Sequence, residues 1–167
     1  MEWMFMPLKR YAEFGGRSRR MEYWMWIVFQ FLLGIVFQIL IFAVGGGAMM
    51  AAGGDPTGAM AAGGAIMIVF LLAILVSLAF IIPSIAVAVR RLHDTNRSGW
   101  WILAPLAGYV LIFLGAGMES SAISLVGGLI TIGLAITLLV FYFLDGTPGP
   151  NRFGEDPKGR GNADTFA

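Results

Sequence analysis

Along this chain apolar and polar positions do not alternate; the polar residues are swept into a few short stretches and the residues between them are continuously apolar. Four apolar runs result, at about 23–44, 65–89, 100–118 and 123–144, and none contains Asp, Glu, Lys, Arg or His. A helix rises about 1.5 Å per residue, so roughly 20 apolar residues cross a ~30 Å hydrocarbon core. A helix on the surface of a soluble domain keeps a wet face, and these runs have none. The pattern predicts an all-α fold, a four-helix transmembrane bundle over 23–144. The first run exceeds the 7–15 residue core of a signal peptide and follows 22 residues of polar and aromatic sequence, so it reads as a retained helix.

The polar stretches divide the rest. Residues 1–22 form an N-terminal segment in which PLKRYAEFGG (7–16) reads as a short interfacial helix, with Pro7 in its first turn and Gly15 or Gly16 at its end. Residues 145–167 leave the fourth helix through Gly-Pro turns and predict an irregular tail. Between the first two runs, 45–64 holds Gly or Ala at fourteen of its twenty positions, with GAMMAAGG nearly repeated as GAMAAGG, which predicts a flexible connector. The connector at 119–122 is tight, and Ser120 or Ser121 suits the cap of the fourth helix.

Composition agrees with a membrane solvent: 58% of residues are hydrophobic and 13% charged, against about a quarter charged in soluble domains. The net charge of +1 conceals an asymmetry, because all eleven Lys and Arg lie at 9–20, 90–97 and 152–160. With four spans these three stretches share one side, and the cost of translocating cations predicts that side to be cytoplasmic, with both termini inside. Trp3, Trp24, Trp26, Trp100 and Trp101 fall near the same interface, where indole suits the headgroup layer. The expected setting is a bacterial inner membrane, with membrane lipids and a second copy or another membrane protein as candidate partners. Nucleic acid is not expected, since the net charge is almost zero.

Within the runs the polar residues are mild. Gln30, Gln38, Ser77, Ser84, Thr131 and Thr137 suit interhelical hydrogen bonds better than a transport path. Small residues at Gly127, Thr131 and Ala135, and at Ala104 and Gly108, predict close helix packing within the bundle or between copies.

The densest polar stretch is RRLHDTNRSGWW (90–101). Arg90 and Arg91 end the second helix at the negative end of its dipole, Asp94-Thr95-Asn96 is turn chemistry, and Ser98 suits the third helix's cap. Asp145, at a helix C-terminus, is placed where the dipole disfavours it and so calls for an arginine. The expected arrangement is one polar cap in which Glu22, Asp94 and Asp145 interleave with Arg17, Arg19, Arg20, Arg90, Arg91 and Arg97, with His93 and Arg152 beside them. One His and no Cys argue against a metal site, and no cofactor motif is present.

The stretches FGGRSRRMEYW (14–24), RRLHDTNRSGWW (90–101) and GTPGPNRFG (146–154) together resemble, in this order, the bacterial inner-membrane family known as domain of unknown function 805. The resemblance covers nearly the whole chain and implies a small inner-membrane protein, without supplying an activity or catalytic residues. The functional expectation is accordingly a binding or structural role through the cap, toward anionic lipid, a ligand or a protein partner. The alternatives are a membrane-surface enzyme using His93 and Asp94, for which no accompanying motif exists, and an oligomeric transporter or channel.

Overall fold

A computed structural model describes residues 2–160, and the final seven residues of the predicted tail lie outside them. The order is α1 (Glu2–Lys9), α2 (Arg20–Ala52), α3 (Pro56–Asp94), a 3-10 segment (Gly99–Leu103), α4 (Leu106–Gly117) and α5 (Ser121–Phe143), with no strand among the described residues. Four helical spans are long and apolar enough to cross a membrane.

The short N-terminal helix exists but sits earlier than 7–16: it covers Glu2–Lys9, with Pro7 buried inside it. Side-chain packing decides its place, because Phe5 meets Phe29 of α2 edge to face at 5.3 Å. The residues after it turn, held by an Arg10–Glu13 ion pair of 2.6 Å and by the Tyr11 hydroxyl, which donates to the carbonyl of Ala79 at 2.6 Å.

The Gly/Ala-rich stretch also departs from expectation. Helix continues through almost all of 45–64, and only Gly53, Gly54 and Asp55 interrupt it. Gly53 closes α2 in the left-handed region (φ 55°), and the Asp55 side chain accepts from the amide of Thr57 at 3.2 Å to start α3. Alanine is the best helix former, and glycine here lets the helices meet: a Cβ on Gly45 would stand 2.8 Å from Ile66, and one on Gly58 would stand 2.6 Å from Ala52. Composition that reads as a linker in water is a packing surface in a helical hairpin.

α2 and α3 thus pack as one antiparallel hairpin from Gly45–Ile66 down to Ser84, whose hydroxyl accepts from Trp26 Nε1 and Gln30 Nε2, both at 3.0 Å, and donates to the carbonyl of Phe80 at 2.6 Å. Ser77, Thr131 and Thr137 instead donate to carbonyls four residues back in their own helices. The third span is not one helix. Its 3-10 start turns at Pro105 into α4, with Ser98 accepting from the amide of Trp100 at 3.4 Å. Ser120 occupies the cap position of α5, though its side chain makes no capping bond.

α4 and α5 form the second hairpin through small residues. A Cβ on Gly108 would lie 2.2 Å from Thr131 Oγ1, and one on Gly127 would lie 2.7 Å from the carbonyl of Gly108. The two hairpins join near one end, where Ala88 and Leu92 of α3 bury against Leu138 and Tyr142 of α5. Tyr23 stacks on Tyr142 at 4.5 Å and Trp24 on Phe143 at 4.4 Å. Arg17, Arg20, Arg90, Arg91 and Arg97 gather at this same end.

Candidate functional site

Three arginines are buried at the junction, and each is placed by the end of an element. Arg91 comes from the last turn of α3 and Arg90 from just before it, and Arg17 from the extended stretch before α2; Arg90, Arg91 and Arg17 expose 0%, 0% and 5% of their surface. Burying a guanidinium is costly unless its charge is paired and its donors are satisfied, so their partners define the cap.

Asp94 is the centre. Its Oδ1 accepts from Arg17 Nε at 2.9 Å and its Oδ2 from Arg91 Nη1 at 2.5 Å. Arg17 spends its other donors on the tail, at 2.7 Å to the carbonyl of Gly149 and 2.5 Å to that of Thr147. Arg91 closes the C-terminus of α5 by donating to the carbonyls of Tyr142, at 3.3 Å, and Leu144. Arg90 pairs with Glu22 at 2.7 Å, and its Nη1 donates to the carbonyl of Glu13, which ties the N-terminal segment to the bundle. The buried guanidiniums therefore do two tasks: they neutralise carboxylates, and they satisfy helix-end and tail carbonyls that no helix bond can reach.

His93 is half-buried. Its Nδ1 lies 3.1 Å from the carbonyl of Gly16, and its ring stacks on Phe153 at 3.8 Å and 4°. The Asp94 carboxylate faces the guanidiniums, so the geometry brings together no His93–Asp94 acid–base pair. A hollow of about 440 Å³ opens beside His93, lined mainly by apolar groups including Phe14, Ile85, Val89 and Trp100.

The remaining expected residues lie around this core. Arg97 lies over the Phe141 ring at 3.9 Å, and Arg19 lies over Trp3 at 5.1 Å while donating to the carbonyl of Pro157. Arg152 is exposed, donates to the carbonyl of Asn96 at 3.2 Å and covers Phe153. Asp145 meets Arg20 at 3.6 Å, and more closely the tail cations Lys158 at 2.5 Å and Arg160 at 3.3 Å. The hydrogen bond from Lys158 leads the influences that hold the Asp145 carboxyl below its ordinary range.

The tail contributes groups that spacing does not reveal. Asp156 is buried, accepts from Arg160 Nε at 2.8 Å and lies 3.8 Å from Arg17. Burial pushes its carboxyl up, but the Arg160 hydrogen bond, the Lys158 amide and both guanidiniums together outweigh that and lower it. Asn151 bridges the carbonyl of His93 and Thr147 Oγ1, both at 3.0 Å. The signal available was local: Asp-Pro-Lys-Gly and Pro-Asn-Arg-Phe-Gly are turn sequences, and turns order a tail without helix. Among the described residues, no cluster of His, Asp and Glu is disposed to hold a metal ion.

A four-span helical protein closed at one end by buried arginines is an integral membrane protein with a built polar cap. The family described as protein of unknown function DUF805 matches residues 11–155, which include the polar stretches 14–24, 90–101 and 146–154. The chain belongs to this family. It is similar to inner membrane protein YhaH of Escherichia coli strain K12, 38% identical over 162 residues, covering 95% of this chain and 98% of that protein. Inner membrane protein YhaI of the same strain is 32% identical over 158 residues, covering 95% and 97%. No solved structure matches the chain.

Proposed function

We propose that the protein is a non-enzymatic binding and interaction module of the inner membrane, oriented with both termini and its cap in the cytoplasm. The observation that carries this reading is that Arg17, Arg90 and Arg91 are each turned inward onto a carboxylate, which makes the cap a fixed platform and leaves recognition to its outer groups. Orientation follows from charge: Lys and Arg collect at the cap end, whereas the two opposite turns carry only Asp55 and Glu119.

Reporter fusions after Gly53 and at the tail test the orientation, with activity expected in opposite compartments. A photo-crosslinking side chain at exposed Glu155 tests the platform. A discrete adduct is expected in cells for the native cap and not for Arg17→Gln, in which the tail loses its anchor. The same adduct pattern in both proteins rules the platform out.

A further inference from the structure

Outside the Asp94 core, Trp3, Arg19, Arg20, Met21 and Lys158 line a second recess, a notch of about 300 Å³ assembled from α1, the start of α2 and the tail. Its charge is unbalanced. Arg20 and Lys158 share one carboxylate, Asp145, at 3.6 and 2.5 Å; Arg160 also reaches Asp145 at 3.3 Å but has its own partner in Asp156 at 2.8 Å. Arg19 is held by a carbonyl and the Trp3 ring, and among the described residues no carboxylate pairs with it. Gathered cations repel each other, so this recess favours an incoming anion.

Two independent features sharpen the chemistry. α2 begins here without a side-chain cap at Arg19, so the positive end of its dipole adds to the notch. One wall is apolar: Met21 is 58% exposed, and further along α2, beyond the buried Trp26, Ile27, Val28 and Phe31 are exposed as well. A ligand that fits both walls carries a phosphate at one end and hydrocarbon at the other.

We propose that this notch binds the phosphate of an anionic phospholipid, held by the Arg19 and Arg20 guanidiniums and the Lys158 ammonium, with acyl chains descending α2 from Met21. Guanidinium forks suit phosphate oxygens, and an ammonium adds a point charge. This deepens the platform reading by naming the ligand of the cap's outer face.

Native mass spectrometry of the delipidated full chain, titrated with phosphatidylglycerol and phosphatidylcholine, tests it. Wild type is expected to retain phosphatidylglycerol about tenfold better, an Arg19→Gln/Lys158→Gln variant to show parity, and Arg152→Gln to keep the preference. Raising salt from about 50 to about 500 mM should erode the wild-type preference with no mutation at all. Parity in the wild type, an undiminished preference in the double variant or indifference to salt overturns the proposal. Full displacement by about 10 mM inorganic phosphate overturns the lipid and assigns the notch to free phosphate. The measurement is blind to leaflet and to protein partners, so its failure leaves the orientation and crosslinking tests standing.

Discussion

Gly146 is pressed against Asp94 so closely that a Cβ at position 146 would stand 2.1 Å from Oδ2 and 2.5 Å from Cγ. The amide of the next residue, Thr147, donates to the carbonyl of Asp94 at 2.9 Å. The first turn of the tail is therefore the wall of the carboxylate's pocket, and only a residue without a side chain can form it.

Gly146→Ala is expected to displace the carboxylate from Arg17 and Arg91, with a loss on the order of 3 kcal/mol from overpacking and disrupted pairing. Gly15→Ala, where a Cβ would meet nothing within 4 Å, serves as the control. Denaturation in detergent should separate the two; equal melting would refute the contact.

Asp94 and Arg17 act as a unit. Asp94→Asn leaves two guanidiniums without their shared charge and should cost about 3–5 kcal/mol. In the Asp94→Asn/Arg17→Gln double variant much of that loss should be recovered, a coupling on the order of 1–3 kcal/mol in a double-mutant cycle. Strict additivity would mean the pair contributes nothing as a pair.

The tail responds to acid through Asp145. Its carboxyl is lowered from 3.8, so its attachment to Lys158, Arg20 and Arg160 is complete above that value and is lost as pH falls through the lowered one. Protease cleavage of the tail should rise in that acid window. Asp145→Asn should show the raised cleavage already at neutral pH and flatten the acid step attributable to this group.

Packing within the second hairpin depends on absent side chains. Gly127→Ala would put a Cβ 2.7 Å from the Gly108 carbonyl and from the Ile112 amide, whereas Gly128 has open space. A loss of about 1–3 kcal/mol is expected for Gly127→Ala and none beyond a few tenths for Gly128→Ala, read as detergent melting.

The four spans were legible because bilayer insertion leaves its mark on every residue of a run. Helix ends were less so. The Gly/Ala stretch at 45–64 has the composition of a linker, and only the close meeting of Gly45 with Ile66 and Gly58 with Ala52 shows why it stays helical. In the cap, clustering pointed to the basic residues and to Asp94, Glu22 and Asp145 as their counterparts, but partners could not be assigned. Arg17 meets Asp94 across 77 positions and Gly149 across 132, separations at which sequence carries no local periodicity. Asp156 and Lys158 carry no signal in an irregular tail, because its order comes from Asx turns and guanidinium bonds that no helical spacing marks.

The two hairpins are unequal in reach. α3 has 39 residues and α5 has 23, about 58 and 35 Å of helix, and both finish at the cap. The bend at Gly53–Asp55 consequently overshoots the one at Met118–Ser120 by roughly 20 Å, a slim mast rising from the face away from the cations. A biotin carried at Gly53 should be seized by streptavidin added to that face of sealed vesicles, while one at Glu119 stays sheltered among headgroups.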